Sequence, residues 1–453
     1  MLKKINDFLK GSFFKGSFLA MTEQGISSLT SFLTSIILAR NVTPNSVGIY
    51  TLLLSIAMII MGLQRVFILV PFNIYYPKMK EDREKKSYAA KTMGFEIVFL
   101  TSVMIVLILL QVLGIINMNL SIISCGIFMV GYLLKDYTRQ FLFGINKILS
   151  SLLMGIIQSL FQLGLFMVLL HLNNFTINHC LIIIGMTTGI SSIVFLVVNT
   201  KISIKLSDLI EVWNKNKYIS KWSVGISMSD SVKNQISMWI LNSFISTKSV
   251  GIYSIHNTFA MLPQPIFNGL SQYLLPHFSK IFSEKKYESV IKKSIIAITV
   301  VFFMNACWGL VLLVMGKKLV VLIYGDEYIG ITTVLLLCCI RGFFTSIISI
   351  ISSILQAIEK PKLILKSLVI GIGILIITGT ILTLKYSMVG MCISLCISFA
   401  TIAIIQTIDL ASIIIELKKN EKEEVIIWKK RKWQYYIFLI LTIGLWEEYW
   451  IIY

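Results

Sequence analysis

Long apolar runs separated by short charged stretches make up almost the whole chain. A run such as IVFLTSVMIVLILL (residues 97–110) does not alternate apolar with polar positions, as the roughly ten-residue strands of a membrane barrel would. A helix that crosses a bilayer takes about 20 mostly apolar residues. That ruler predicts twelve spans, at 16–38, 46–70, 92–115, 119–142, 148–171, 177–200, 219–245, 250–275, 291–315, 328–357, 363–384 and 388–411. A thirteenth would lie in YYIFLILTIGLWEEYWIIY at the C-terminus, where Glu447 and Glu448 interrupt the run. The expected fold class is therefore an all-α polytopic membrane protein. The first run is long, contains Glu23 and has no small-residue cleavage site after a short apolar core, so it is expected to stay attached rather than act as a cleaved signal.

Composition agrees with the pattern. Of 453 residues 56% are hydrophobic and 14% charged, where a soluble domain is about a quarter charged, and the mean hydropathy is +0.83. The net charge of +19 raises the question of a nucleic-acid partner, which placement answers. With the N-terminus inside, most of the 41 Lys and Arg fall at inner ends. Arg40, Lys248, Lys317, Lys318 and Lys385 are the outer exceptions, and Arg65, Lys233 and Arg341 lie within spans. The positive-inside rule produces this asymmetry, so nucleic acid is not needed to explain the charge. Seven cysteines sit mostly in apolar runs with no CxxC pair, which favours packing over metal or disulfide roles.

The pentapeptide SVGIY occurs at 46–50 and again at 249–253, each time opening an apolar run. Six predicted crossings separate the copies, and an even number preserves direction, so they read as parallel repeats related by an axis along the membrane normal. GIS recurs at 25–27 and 225–227 in the same order, and LFGINKILSSLL (142–153) resembles LQAIEKPKLILK (355–366). The plainer reading of each copy is a helix start with an interfacial tyrosine. The repeat predicts a six-helix lobe at 1–200, a Lys-rich amphipathic inner-surface linker at 201–222, a second six-helix lobe at 223–411, and a basic inner segment with a candidate extra helix at 412–453.

The stretch LTSFLTSIILARNVTPNSVGIYTLLLSI (29–56), with VPFNIYYPK (70–78) and KDYTRQFLFGINK (135–147), resembles the Wzx-type polysaccharide flippases of the multidrug/oligosaccharidyl-lipid/polysaccharide exporter superfamily. The matching features are Leu38, Ala39 and Arg40 closing span one, Pro44 in the turn, Gly48 and Tyr50 opening span two, and Asp136 and Arg139 in span four. The second-half copy departs from the first, reading LNSFISTK (241–248) where the first has LARNVTPN, so Arg40 has no counterpart. The resemblance implies two lobes and movement of undecaprenyl-pyrophosphate-linked sugars, such as O-antigen units, from the inner to the outer leaflet of a bacterial plasma membrane. It implies a multi-pass protein with a cytoplasmic N-terminus, membrane lipid around it, no cofactor, and a polysaccharide polymerase and chain-length regulator as candidate partners.

Charges inside the bilayer are costly, about 2.5–3.5 kcal/mol on insertion scales, so they face cavities, partners or pathways. Arg341 is deepest, roughly 20 Å from either end of its span at 1.5 Å per residue; a buried pair with a carboxylate is its plainer reading. Asp230 and Lys233 share a helical face with Asn234 and Gln235 nearby, either as a self-satisfied ion pair or with Lys233 on the substrate and Asp230 on a coupling proton. Glu23 in an apolar setting is a candidate for ion coupling. His256, next to Asn257, is another, against the plainer reading of a hydrogen-bonded packing residue. Arg65 is read either as a cavity cation or as snorkelling to the inner surface, and Lys135, Asp136, Arg139 and Asp409 more strongly as snorkelling. Arg offers a planar fork and Lys a compact charge to a pyrophosphate. The expected substrate set is therefore Arg341, Lys233, Arg65, Asn234 and Asn257, and the ion-coupling set Glu23, Asp230 and His256.

Three readings stand side by side. The first is a lipid-linked oligosaccharide flippase working by alternating access and coupled to an ion. The second, a drug or cation exporter of the same superfamily, would be expected to line its cavity with accessible carboxylates. The third is a membrane polysaccharide polymerase or ligase, which would be expected to use a large outer loop. The longest outer loop here, near 316–327, is short, and no HExxH, GxSxG or P-loop pattern occurs.

Overall fold

The computed structural model describes residues 12–113, 121–267, 278, 281–282, 287–328 and 332–449. Every regular element among them is helical. The first is α1, Ser12–Asn41. Next comes α2, which starts as Pro44–Gln64 and runs through a π-helical turn at Arg65–Leu69 into Val70–Tyr75. There follow α3 Asp82–Val112, α4 Ile122–Gly144, α5 Ile148–His171, α6 Ile177–Asn199, α7 Leu206–Phe244 and α8 Thr247–Ala260. The last three are α9 Tyr287–Tyr324, α10 Thr332–Ala357 and α11 Pro361–Tyr449.

Helix is the form that satisfies every backbone group within one apolar segment. Among the described residues seven helices are long and apolar enough to cross a membrane: Pro44–Lys78, Asp82–Leu109, Ile148–His171, Ile177–Asn199, Lys292–Tyr324, Thr332–Ala357 and Pro361–Leu417. Their outward faces are apolar, Val198 and Val314 being more than three-quarters exposed, as a bundle surrounded by lipid requires.

Sequence chemistry sets the breaks. Pro44 opens α2, with the Thr43 hydroxyl accepting from the Ser46 N–H, and Ser246 caps α8 on Ser249 in the same way, so the two SVGIY copies start identically capped helices. Ser387, at φ 55°, interrupts α11. The two arms fold back on each other: Ser398 donates to the Gly371 carbonyl at 2.7 Å, Gln406 to Ser367 at 2.9 Å, and Lys366 reaches Asp409 at 3.5 Å. A helical hairpin thus occupies the stretch where spans eleven and twelve were expected. Asp409 is held in this pair rather than simply snorkelling.

From Leu206 the linker segment is helical and continuous with the helix that follows it. The Ser203 N–H donates to the Ala90 carbonyl, and Lys91 pairs with Asp208 and Glu211, which ties this segment to α3. At the far end, helix continues past residue 411 as far as Tyr449. Of the expected span at 250–275, only residues up to 267 are described.

Small residues set the closest helix contacts, as in other membrane bundles. One of the closest joins the two halves of the sequence. A Cβ built on Gly48 would fall on the carbonyl oxygen of Thr247, and one built on Gly251 on the carbonyl oxygen of Pro44. Each glycine therefore meets the residue four before the other, a reciprocal contact between the two SVGIY copies. That answers why the repeat keeps a glycine there: α2 and α8 cross backbone to backbone, and any side chain would part them.

Candidate functional site

The glycine seam closes one end of the bundle, where α1 finishes and α2 and α8 begin. At the same end Arg40, on the last turn of α1, donates through Nε to the Ile323 carbonyl at 2.8 Å and through Nη2 to the Leu322 carbonyl, capping the C-terminus of α9. Tyr324 lies 3.4 Å from the Ser35 hydroxyl and packs edge-on against Phe32 and Phe259.

Below the seam lies a cavity of about 360 Å³ whose lining includes Tyr50, Asn234, Gln235, Asn257 and Arg341. A second, of about 690 Å³ and nearer the opposite end, is lined by Gln24, Arg65, Tyr132, Lys135, Asp136 and Arg139, with Asn257 and Gln264. Ser31, Tyr132, Asn257 and Thr258 line both, so the two are contiguous chambers of one path.

In the larger chamber both arginines are paired with carboxylates rather than snorkelling. Arg65 grips Asp136 through Nε and Nη2 at 2.8 and 2.7 Å, the bidentate fork that makes Arg–carboxylate pairs directional. Arg139 donates to Glu23 at 2.8 Å and to Gln24 at 2.8 Å, with Glu23 fully enclosed. Each arginine is thus fixed from behind by a carboxylate while other N–H groups remain available. Lys135, one residue before Asp136 on α4, also lines this chamber. Its ammonium has no hydrogen-bond or ion-pair partner among the described residues.

The direction of Arg65 has its own cause. Pro71 has no N–H to give the Phe67 carbonyl, and in the π-helical turn Val70 donates back to Arg65 instead of to Val66. Two carbonyls are left over. Asn216 Nδ2 donates to Phe67 at 2.9 Å and the Ser220 hydroxyl to Val66 at 3.0 Å, both from α7. The segment that joins the two sequence repeats thereby holds the turn from which Arg65 projects. Neither residue stands out in the sequence, because the need they meet arises about 150 residues away.

In the smaller chamber Arg341 is held by neutral groups. Nη2 donates to the Asn257 side-chain oxygen at 2.6 Å, Nη1 lies 3.4 Å from the Tyr253 hydroxyl, and Nε is buried with no partner. The guanidinium stands 5.5 Å from the centre of the Phe399 ring, and the ammonium of Lys233 5.0 Å from the same ring. Lys233 is buried and pairs with Asp230 at 2.8 Å, and Asn234 donates to the same carboxylate at 3.3 Å. Of the residues singled out in the sequence, Arg65, Asn234, Asn257 and Arg341 line the path. Lys233 and Glu23 are buried behind lining residues, whereas Asp230 is more than half exposed and lines neither chamber. His256 is buried, bonded through Nδ1 to the Ile252 carbonyl, and lines neither chamber. No group of three or more His, Cys, Asp or Glu able to hold a metal ion is present among the described residues, and the seven cysteines are unbridged.

The fold is that of the MOP superfamily of transporters. An inward-facing multidrug resistance MATE family transporter of that superfamily aligns with 88% of this chain and 99% of its own at a TM-score of 0.70 and 15% identity. The lipid II flippase MurJ, in an inward closed conformation, aligns at 0.70 and 13% identity over 89% and 90%. A MOP superfamily transporter from Pyrococcus furiosus described as having a binding pocket of reversed polarity aligns at 0.62 and 14% over 89% and 95%. No curated protein sequence matches this chain. The family model described as polysaccharide biosynthesis protein matches residues 13–282, and the chain belongs to that family, in keeping with its resemblance to Wzx-type flippases.

Proposed function

We propose that the protein is a flippase that carries undecaprenyl-pyrophosphate-linked oligosaccharides across a bacterial plasma membrane. The single observation that carries this reading is the state of Lys135: an unpaired cation between two arginines that carboxylates already hold in place. An anion entering the larger chamber meets a positive wall whose own acids are occupied. A pyrophosphate satisfies Lys135 and the remaining donors of Arg65 and Arg139 together. Tyr132, Asn257 and Gln264 offer hydrogen bonds to sugar hydroxyls, and the prenyl chain needs no polar site and stays in lipid.

The seam and the Arg40 cap belong on this reading to the outer side, so the larger chamber faces the cytoplasm, where the N-terminus lies. Two lobes, 1–200 and 223–411, rock about the path, and Arg341 is the second anion station on the way out. Lys233, Asp230 and Glu23 support those stations and are the groups through which an ion is coupled. A polymerase and a chain-length regulator take the product. An organic cation, the substrate of a drug exporter, finds no free carboxylate among the described residues that line these walls.

The test is transbilayer movement of a defined undecaprenyl-pyrophosphate oligosaccharide in vesicles containing the purified protein. Wild type moves it, Arg341→Ala slows it about tenfold or more, and uncharged undecaprenyl-linked analogues are not moved. Efflux of an organic cation with no movement of the lipid would overturn the reading.

A further inference from the structure

Glu96, on α3, has no role in the site described above, and its surroundings are unusual. It is completely buried, as is Gln64. Gln64 Nε2 donates to Glu96 Oε1 at 2.6 Å and to the Leu133 carbonyl at 3.1 Å. One amide nitrogen with two hydrogens thus serves two acceptors, which fixes the orientation of the amide. Glu96 Oε2 and Gln64 Oε1 are then both buried without a partner.

These two atoms are complementary. A primary amide and a carboxylic acid form a cyclic pair, N–H to the acid carbonyl and O–H to the amide carbonyl. The first of those bonds is present here, and one hydrogen on Glu96 Oε2 would complete the second and satisfy both leftover oxygens at once. Without that hydrogen, Glu96 would be a completely buried carboxylate supported by a single donor, a costly arrangement. Among the described residues no cation pairs with Glu96. Arg65, the residue after Gln64, is engaged with Asp136, and Lys91, on α3 itself, with Asp208 and Glu211 of α7. Lys215 of α7 lies over the Tyr88 ring, two turns from Glu96 along α3. Tyr137, the residue after Asp136 on α4, is buried and its hydroxyl is unpaired.

Gln64 and Tyr137 therefore stand on the side of α2 and α4 facing Glu96, while their chain neighbours Arg65 and Asp136 face the cavity. We infer that Glu96 and Gln64 form a proton-binding site directly behind the Arg65–Asp136 pair, and that the proton it carries tightens anion binding in the larger chamber. Loss of the proton adds a negative charge at the back of the cavity wall, opposing an anion at Lys135 and drawing on Arg65 in competition with Asp136. By linkage, anion binding draws a proton onto Glu96 to the same degree. The second half of this inference rests on the anionic substrate proposed above; the proton site itself does not.

The experiment has two readouts on the full-length protein in lipid vesicles. Infrared spectra across pH should contain the carbonyl stretch of a protonated carboxyl that Glu96→Gln removes. Gln64→Leu should keep that band and shift it to higher frequency, since the acid loses its acceptor. Binding of inorganic pyrophosphate, followed across the same pH range, should weaken about three- to tenfold more on alkalinisation in wild type than in Glu96→Gln. Lys135 and Asp136 are common to both proteins, so the difference isolates Glu96. A wild-type spectrum identical to that of Glu96→Gln, or a band that Gln64→Leu leaves unmoved, overturns the acid–amide pair, and pH profiles that coincide overturn the linkage. Lipid-linked sugar movement with no Glu96 band would sink the proton site and leave the flippase reading standing, whereas the band without such movement would do the reverse.

Discussion

Two sets of cations line one path and are held in opposite ways. In the larger chamber Arg65 and Arg139 each rest on a carboxylate from another helix, 71 and 116 residues away in the chain. In the smaller chamber Arg341 rests on an amide, a phenol and an aromatic face. A carboxylate fixes the direction of a guanidinium but cancels much of its field, whereas neutral supports leave the charge in place. The larger chamber is thus built for orientation, with its uncancelled charge concentrated on Lys135, and the smaller one presents a loosely directed charge close to the sealed end.

The sharpest way to break this division is Lys135→Ala. A hydrogen bond to a charged group contributes about 1.5–3 kcal/mol, so the affinity for a lipid-linked pyrophosphate should fall about 10- to 150-fold, measured by direct binding in detergent or vesicles. Lys135→Arg should recover most of it. If Lys135→Ala binds as wild type does, the free charge of the larger chamber is not the anion site.

The seam tests whether the two chambers open to different sides. Overpacking a close contact costs about 1–3 kcal/mol, enough to change an open-to-closed ratio by about 5- to 150-fold. Gly251→Leu should therefore raise labelling of a cysteine placed at Ser254 by a membrane-impermeant reagent added from outside. Unchanged labelling would show that the seam does not gate access.

Asp136→Asn removes the support and leaves the charge. Breaking a buried pair from one side costs about 3–5 kcal/mol, but Arg65 is 40% exposed, so about 1–2 kcal/mol is expected, read as a lower thermal midpoint. The anion affinity should fall less than in Lys135→Ala, because Arg65 keeps its charge and loses its direction. An equal or larger fall would mean that orientation outweighs free charge.

The smallest effect concerns the docking of residues 203–211 on α3. The Ser203 hydroxyl, and Lys91 beside it, hold the Asp208 carboxyl below its ordinary range. A depressed carboxylate stabilises the fold above its unfolded value and loses that contribution as pH falls through the folded one. Protection of the amides of residues 203–211 against hydrogen exchange, taken relative to intrinsic exchange at each pH, should fall modestly on acidification below the usual carboxylate range, and Asp208→Asn should show the lower protection at every pH. A wild-type profile independent of pH would remove Asp208 from the docking of this segment.

The all-helical membrane class was legible from the apolar runs, because a helix closes its hydrogen bonds within four residues and a bilayer sets the length of a span. So were the SVGIY repeat, the central place of Arg341 in its apolar run, and the ion pair of Asp230 with Lys233, since residues three apart share a helical face. The rest depends on which helices pack together. Lys135, Asp136 and Arg139 read as interfacial charges until Arg65 and Glu23, from other helices, are brought to them. Gln64 and Glu96 read as unremarkable polar residues until 32 positions of chain are folded away. Asn216 and Ser220 acquire a purpose from a proline on another helix. Local periodicity carries no record of which helices become neighbours, and in this protein the charges, the clamp and the proton site are all contacts between neighbours.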